Sequence, residues 1–347
     1  LTTINIGRHC ERTGSRTQAD KEVGMEISGS VHSLLLDGLG GAKHLSAEEV
    51  TNWQPEQGVL WLHLDLLDPD IGKWLQSNTD LHELAIEALM SEETRPRATT
   101  LDDGLLLSLR GVNLTPGSDP EDMVAVRIWA DSHRIISSRR RQLVATRELV
   151  AQLDSGRGPK SSTELLVEWI DLIVWQMSNT VNEFEDAVLQ LEDRVLSESP
   201  AGLRSELAQL RKQTISLRRY LAPQREALTR LVVEKVSWLD DDNRMRLRET
   251  SDRLIRHIED IDEVRERAAV AQEELLSRVS EQMNERMYVL SMVAAIFLPL
   301  GFFTGLMGIN VGGMPGVESN LGFWSVVGIC LLVVLALAVY FRRKRWL

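Results

Sequence analysis

The chain has 347 residues and a formal net charge of −12, with 43% hydrophobic and 26% charged residues. That length allows one large soluble domain, or two smaller ones, besides a membrane hairpin. The acidic balance removes nucleic acid from the partners, because a phosphate backbone calls for a basic face; it suits a protein that gathers cations, and equally an ordinary acidic surface.

The two cysteines, Cys10 near the start and Cys330 inside a hydrophobic run, are badly placed to meet in a disulfide, which fits a reducing compartment for the polar part. No CxxC, HExxH or close His/Cys cluster offers a closed zinc site. The seven histidines are scattered, and a lone one such as His257 on a helix reads as a surface residue.

Residues 1–24 have little apolar periodicity and read as a poorly ordered leader, an upstream extension or a cloning remnant ahead of Met25. From there to about residue 153, short apolar runs alternate with short helical ones. Residues 31–36 and 59–64 read as strands, followed by helices around 71–75 and 81–90. Residues 104–109, 124–129 and 134–138 read as three more strands, with the loop NLTPGSDPED between two of them, and a helix over 141–153 ends at SGRGP. The mixture predicts an α/β domain over 25–158. It carries no phosphate loop, nucleophile elbow or other catalytic signature, so the sequence does not support an enzyme.

Long helices follow over 159–286. Ser162 or Thr163 can cap a helix running to about residue 197, and a second helix over 203–232 turns back beside it across the short break at 199–202. A third begins near Asp240, where Asp240, Asp241 and Asp242 suit a positive helix N-terminus, and it meets no Pro or Gly before Pro299. Continued to Gly308, it would be on the order of 100 Å long.

Two stripes run along this helix. Leu254, Ile258, Ile261, Val264, Ala268, Ala271, Leu275 and Val279 follow three- and four-residue steps and predict a packed face. Asp252, Glu259, Glu266 and Glu273 recur every seven residues on the other side, and the same heptad continues to Ser280 and Met287. If several copies surrounded an axis, Glu266 and Glu273 would form carboxylate rings that attract cations to a pore. A solvated outer face among Arg256, Arg265, Arg267 and Arg278 is the other reading.

No charged residue occurs over 287–317 or 319–341, and each run exceeds the roughly 20 apolar residues that cross a bilayer. A first span over 287–309, a loop over 310–321, a second span over 322–341 and a basic tail over 342–347 follow. In the first span Met287, Leu290, Ala294, Leu298, Gly301, Gly305 and Gly308 share three- and four-residue spacing. Such a face lines a pore or, through Ala294, Ala295, Gly301 and Gly305, brings helices close together. Pro299 removes one backbone hydrogen bond and frees a carbonyl, and the carboxamide of Asn310 offers an oxygen to a hydrated metal ion. Arg278 and Arg286 before the first span and Arg342, Arg343, Lys344 and Arg345 after the second place both termini in the cytoplasm.

The order of long acidic helix, first span ending FLPLGFFTGLMGIN, short loop, second span and basic tail resembles the CorA family of divalent-cation transporters. The family signature is Gly-Met-Asn at the end of the first span; here Gly308, Ile309 and Asn310 stand at those positions. The loop GGMPG is similar to that of the zinc-associated ZntB branch. The resemblance implies a funnel-shaped homopentamer in a bacterial inner membrane, with a cytoplasmic α/β domain, first spans around the pore and second spans outside them. It also implies selectivity at Gly308, Ile309 and Asn310, no cofactor, and transport of Zn2+ or, as alternatives, Mg2+, Co2+, Ni2+ or Cd2+. Ile309 in place of Met puts the magnesium preference in doubt. The rival class is a membrane-anchored helical scaffold or sensor, against which stands the lack of an output module. Proton coupling, if present, falls to cytoplasmic groups such as Glu266, Glu273 or His257, because neither span has a titratable carboxylate, histidine, lysine or arginine.

Overall fold

A computed structural model of the chain describes residues 29–92, 95–119, 121–197, 202–309 and 321–343. The expected leader over 1–24, the loop over 310–320 with Asn310, and the tail residues Lys344 and Arg345 lie outside the described residues. The chain divides into two compact units, the first reaching Val270 and the second beginning, apart from a few residues, at Ala271.

The first unit is built on a seven-stranded mixed sheet. β1 (Ser30–Leu36), β2 (Ala42–His44), α1 (Ala47–Thr51), β3 (Leu60–Asp65), α2 (Ile71–Asn78), α3 (Glu83–Met90), β4 (Arg97–Leu101), β5 (Gly104–Gly111), β6 (Val124–Ala130) and β7 (Arg134–Arg139) come in that order. Their spatial order is β2-β1-β3-β7-β6-β5-β4. Every neighbouring pair is antiparallel except β3 and β7, which run parallel from Leu60 opposite Arg134 to Asp65 opposite Arg139.

Because strand side chains alternate between faces, β3 sends Leu60, Leu62 and Leu64 one way and Trp61, His63 and Asp65 the other. The leucines join Ile136, Leu106 and Trp129 in one core with Ile71 and Leu75 of α2 and Ala85, Ile86 and Leu89 of α3. On the opposite face Trp61 meets Trp169 edge to face, with ring centroids 5.1 Å apart. Gly104 is required where it stands: a Cβ there would fall 2.1 Å from Cζ2 of Trp129.

Helices α4 (Val144–Asp154), α5 (Ser162–Trp175), α6 (Met177–Ser197) and α7 (Leu203–Val233) follow, and α8 (Asp241–Met307) begins beyond a short loop. Several expectations need correction. β2, α1 and β4 were not foreseen, being short and weakly apolar. Helix α4 starts three residues late, after Leu143 in extended backbone (φ −113°, ψ 124°), and the guanidinium of Arg141 ahead of it is held by Asp122 and by the Met123 carbonyl. The single helix expected over 163–197 is two, parted at Gln176, which keeps near-helical angles (φ −65°, ψ −16°) and so needs no Gly or Pro. The cap of α5 is Ser161, whose side chain accepts from the Glu164 N–H at 3.1 Å, rather than Ser162 or Thr163. Those two instead donate to the carbonyls of Asp131 and Trp238. Asp240 lies just ahead of α8 and accepts from the Asn243 N–H at 2.8 Å.

Helices α6 and α7 pack together, and Arg194 grips Glu206 through two bonds of 2.6 and 3.2 Å. Within the first unit α8 is tied to its neighbours by Arg253 with Asp171 (2.8 Å), Arg218 with Asp262 (2.6 Å), and Arg267 with Glu192 (3.0 and 2.5 Å). Leu254, Ile258, Ile261, Val264, Ala268, Ala271 and Leu275 are buried as their spacing predicts, whereas Val279 is only half-buried. The second unit holds the rest of α8 and α9 (Gly322–Arg343).

Candidate permeation site

Helix α8 runs through Pro299 without a break and ends at Met307, where the Gly308 N–H donates to the carbonyls of Thr304 and Gly305 at 3.0 and 3.1 Å. The freed carbonyl expected at Pro299 follows from its missing N–H, and the helix stays continuous around it. Met287, Leu290 and Leu298 are exposed by 62, 70 and 78%. For apolar side chains of this size, such exposure requires lipid or another copy to cover them. Ala294, Gly301 and Gly305 are exposed on the same spacing, and a Cβ built at Gly301 or Gly305 would touch nothing within 4 Å. Ile309 is half exposed, and Asn310 lies outside the described residues.

Upstream, Asp252, Glu259, Glu266 and Glu273 are all exposed, and none has an ion-pair partner among the described residues. Their neighbours differ: Asp262 binds Arg218, Glu263 lies 3.8 Å from Arg267, and Glu274 holds Arg278 at 3.0 Å. Of the basic residues beside the stripe, Arg265 lies 3.6 Å from Asp262, Arg267 holds Glu192 and Arg278 holds Glu274. His257 corrects the reading of a surface histidine. It is only 8% exposed, with Nε2 3.3 Å from Ser178 Oγ, and burial lowers its pKa against the opposing pull of Asp260. No cluster of three or more His, Cys, Asp or Glu side chains suited to a metal occurs among the described residues.

Both α8 and α9 carry a stretch long and apolar enough to cross a membrane, and neither stretch is buried within the chain. The family described as CorA-like Mg2+ transporter protein matches residues 56–343. The chain belongs to the CorA family. It is accordingly an oligomeric membrane transporter of divalent cations with two C-terminal spans, and not an enzyme. Its relatives include the zinc transport protein ZntB of Yersinia enterocolitica, 38% identical over 93% of this chain and 98% of that protein. The divalent cation transporter CmaX of Pseudomonas aeruginosa is 37% identical over 92% and 97% of the two chains. The structure of full-length CmaX superposes with a TM-score of 0.82 at 36% identity, covering 93% of this chain and all of that one. The CorA magnesium transporter of Methanocaldococcus jannaschii shares the fold, with a TM-score of 0.78 at 19% identity over 91% and 99% of the chains.

Proposed function

We propose that five copies of the chain enclose a pore lined by the C-terminal part of α8, and that this pore carries Zn2+ across a bacterial inner membrane. The observation that carries the reading is the uncharged face of Met287, Leu290, Ala294, Leu298, Gly301 and Gly305, left uncovered by the chain itself and leading to Gly308, Ile309 and Asn310. With no ionised side chain along it, the passage cannot strip a divalent ion of water; the ion crosses hydrated, through water contacts to the Asn310 carboxamide and to backbone carbonyls. Met287 and Leu298 are the apolar constrictions, able to gate by dewetting.

Before the membrane, the unpaired carboxylates of Glu266 and Glu273 raise the local cation concentration. For proton coupling they are the candidates open to solvent, whereas His257 is turned into the helix packing. The basic residues flanking the spans favour cytoplasmic termini and an external loop. Zinc is supported by Ile309 within the signature and by the GGMPG loop that follows it. Magnesium or cobalt transport is the second reading, favoured by the description of the matching family and by the broader name of CmaX.

The test is metal flux into liposomes holding the purified protein, with and without an imposed pH gradient. Zinc flux that needs Asn310 and grows with the gradient supports a coupled transporter. Magnesium flux without zinc flux selects the second reading, and unaltered rate and selectivity in Asn310→Ala would remove Asn310 from the pathway. No flux of any divalent ion would restore the scaffold or sensor.

A further inference from the structure

Parallel pairing of β3 and β7 sets His63 beside Ser137 and Asp65 beside Arg139, and antiparallel pairing of β1 sets His32 opposite His63. At the end of these strands lies a cavity of about 320 Å³, and the first turn of α4 forms its other wall through Val144, Thr146 and Arg147. Three polar atoms on its lining residues are buried without a hydrogen-bond partner among the described residues: His63 Nε2, Arg139 Nε and Thr146 Oγ1. His63 and Thr146 are 1 and 4% exposed. Unpaired groups in such positions are costly unless something occupies the space between them.

The occupant's charge follows from the surroundings. Arg147 has no acidic partner among the described residues, and Asp65 approaches Arg139 only to 4.0 Å. Asp154, which faces His32, is held by His44 at 3.2 Å, and neither carboxylate lines the cavity. The N-terminus of α4 adds its positive end, since Leu143 supplies no side-chain cap and the first turn contains no acid. Around His63 the hydroxyl of Ser137 sits between two acceptors. Ser137 Oγ donates to the Leu62 carbonyl at 3.2 Å and lies 2.8 Å from His63 Nδ1; an anion beside Nε2 selects the tautomer in which the hydroxyl turns its one proton to Nδ1 and the ring proton sits on Nε2. His63 Nε2, Arg139 Nε and Thr146 Oγ1 can then all donate.

We propose that this cavity binds a phosphate-sized oxyanion, held by His63, Arg139, Thr146 and Arg147 at the N-terminus of α4, at a site separate from the ion pathway. The anion is a phosphoryl group, either free phosphate or a monoester whose organic part rests on the apolar wall of Val31, Leu114 and Pro116. Burial first, and the nearby Arg139 second, lower the pKa of both His32 and His63.

The test uses the full chain in detergent, 15N-labelled at histidine and titrated with inorganic phosphate, with AMP as the monoester, and with chloride at matched ionic strength. Phosphate or AMP should move the His63 ring signal where chloride does not, and Thr146→Val and Arg147→Gln should each weaken binding about 10-fold or more. Tighter binding of AMP than of phosphate identifies the monoester as the ligand; equal binding identifies the free ion. The proposal is overturned if neither compound moves His63 beyond the chloride effect, or if Arg147→Gln, an exposed position that folding tolerates, binds as the parent does.

Discussion

Ser137→Ala should be among the costliest single-atom deletions in the first unit. Its hydroxyl is fully buried; it accepts from Trp61 Nε1 at 3.1 Å and meets His63 Nδ1 at 2.8 Å and the Leu62 carbonyl at 3.2 Å. Removing it leaves the indole N–H and the imidazole nitrogen unpaired where exposure is 0 and 1%. At about 1–3 kcal/mol for each of the two stranded groups, the loss comes to roughly 2–6 kcal/mol. With about 2–4 °C per kcal/mol for a unit of this size, the melting temperature should fall by roughly 4–24 °C. Ser138→Ala is the control, because its equally buried hydroxyl makes one bond, to the Leu89 carbonyl at 2.5 Å, and its loss should cost about 1 kcal/mol. Thermal unfolding followed by tryptophan fluorescence compares them directly. If Ser137→Ala melted no lower than Ser138→Ala, the hub role of Ser137 would be refuted.

Burial lowers the pKa of His32, His63 and His257 from 6.5, so the unfolded chain binds protons more readily than the folded one. Stability should hold above about pH 6.5 and fall below it, with His257→Gln flattening part of that loss; melting curves across this range check it, and a flat profile in the parent would contradict it. Carboxylates with lowered pKa, such as Asp80 and Asp240, act only in a separate window below 3.8. Glu273→Gln should slow metal uptake about 3-fold or more at low ionic strength, with the difference vanishing in high salt; a salt-independent defect would point to a role other than attraction. Gly104→Ala should destabilise by about 1–3 kcal/mol in thermal unfolding, because its Cβ would meet Trp129 atoms at 2.1 and 2.3 Å, and Trp129→Phe should relieve part of the loss.

The strands with strong apolar runs were legible from sequence, as were the long helices and both spans, because burial on one or two faces leaves a period of two or of three to four. β2, with the sequence AKH, and β4, with RATTL, gave no such signal, since edge strands owe their place to pairing rather than to burial. The gap at Gln176 was invisible for want of any breaker residue. The acidic stripe was legible as a heptad, but its lack of partners depends on where each arginine reaches. The oxyanion cavity was not legible at all. His32, His63, Arg139 and Thr146 lie on four elements, brought together by the parallel register of β3 with β7, which the order of residues does not announce.

That parallel register also orders the assembly of the sheet. β4 to β7 form a meander of successive hairpins, each closed locally, and β1 pairs with β2 in the same way. Only the β3–β7 seam must bring together segments separated by the whole stretch between Asp65 and Arg134, so it carries the largest loop-closure cost within the sheet. The hairpins of the meander therefore close at a lower chain-entropy cost than the seam. The cavity described above does not exist until β3 and β7 have joined, and a ligand seated there would act as a clasp on a finished sheet.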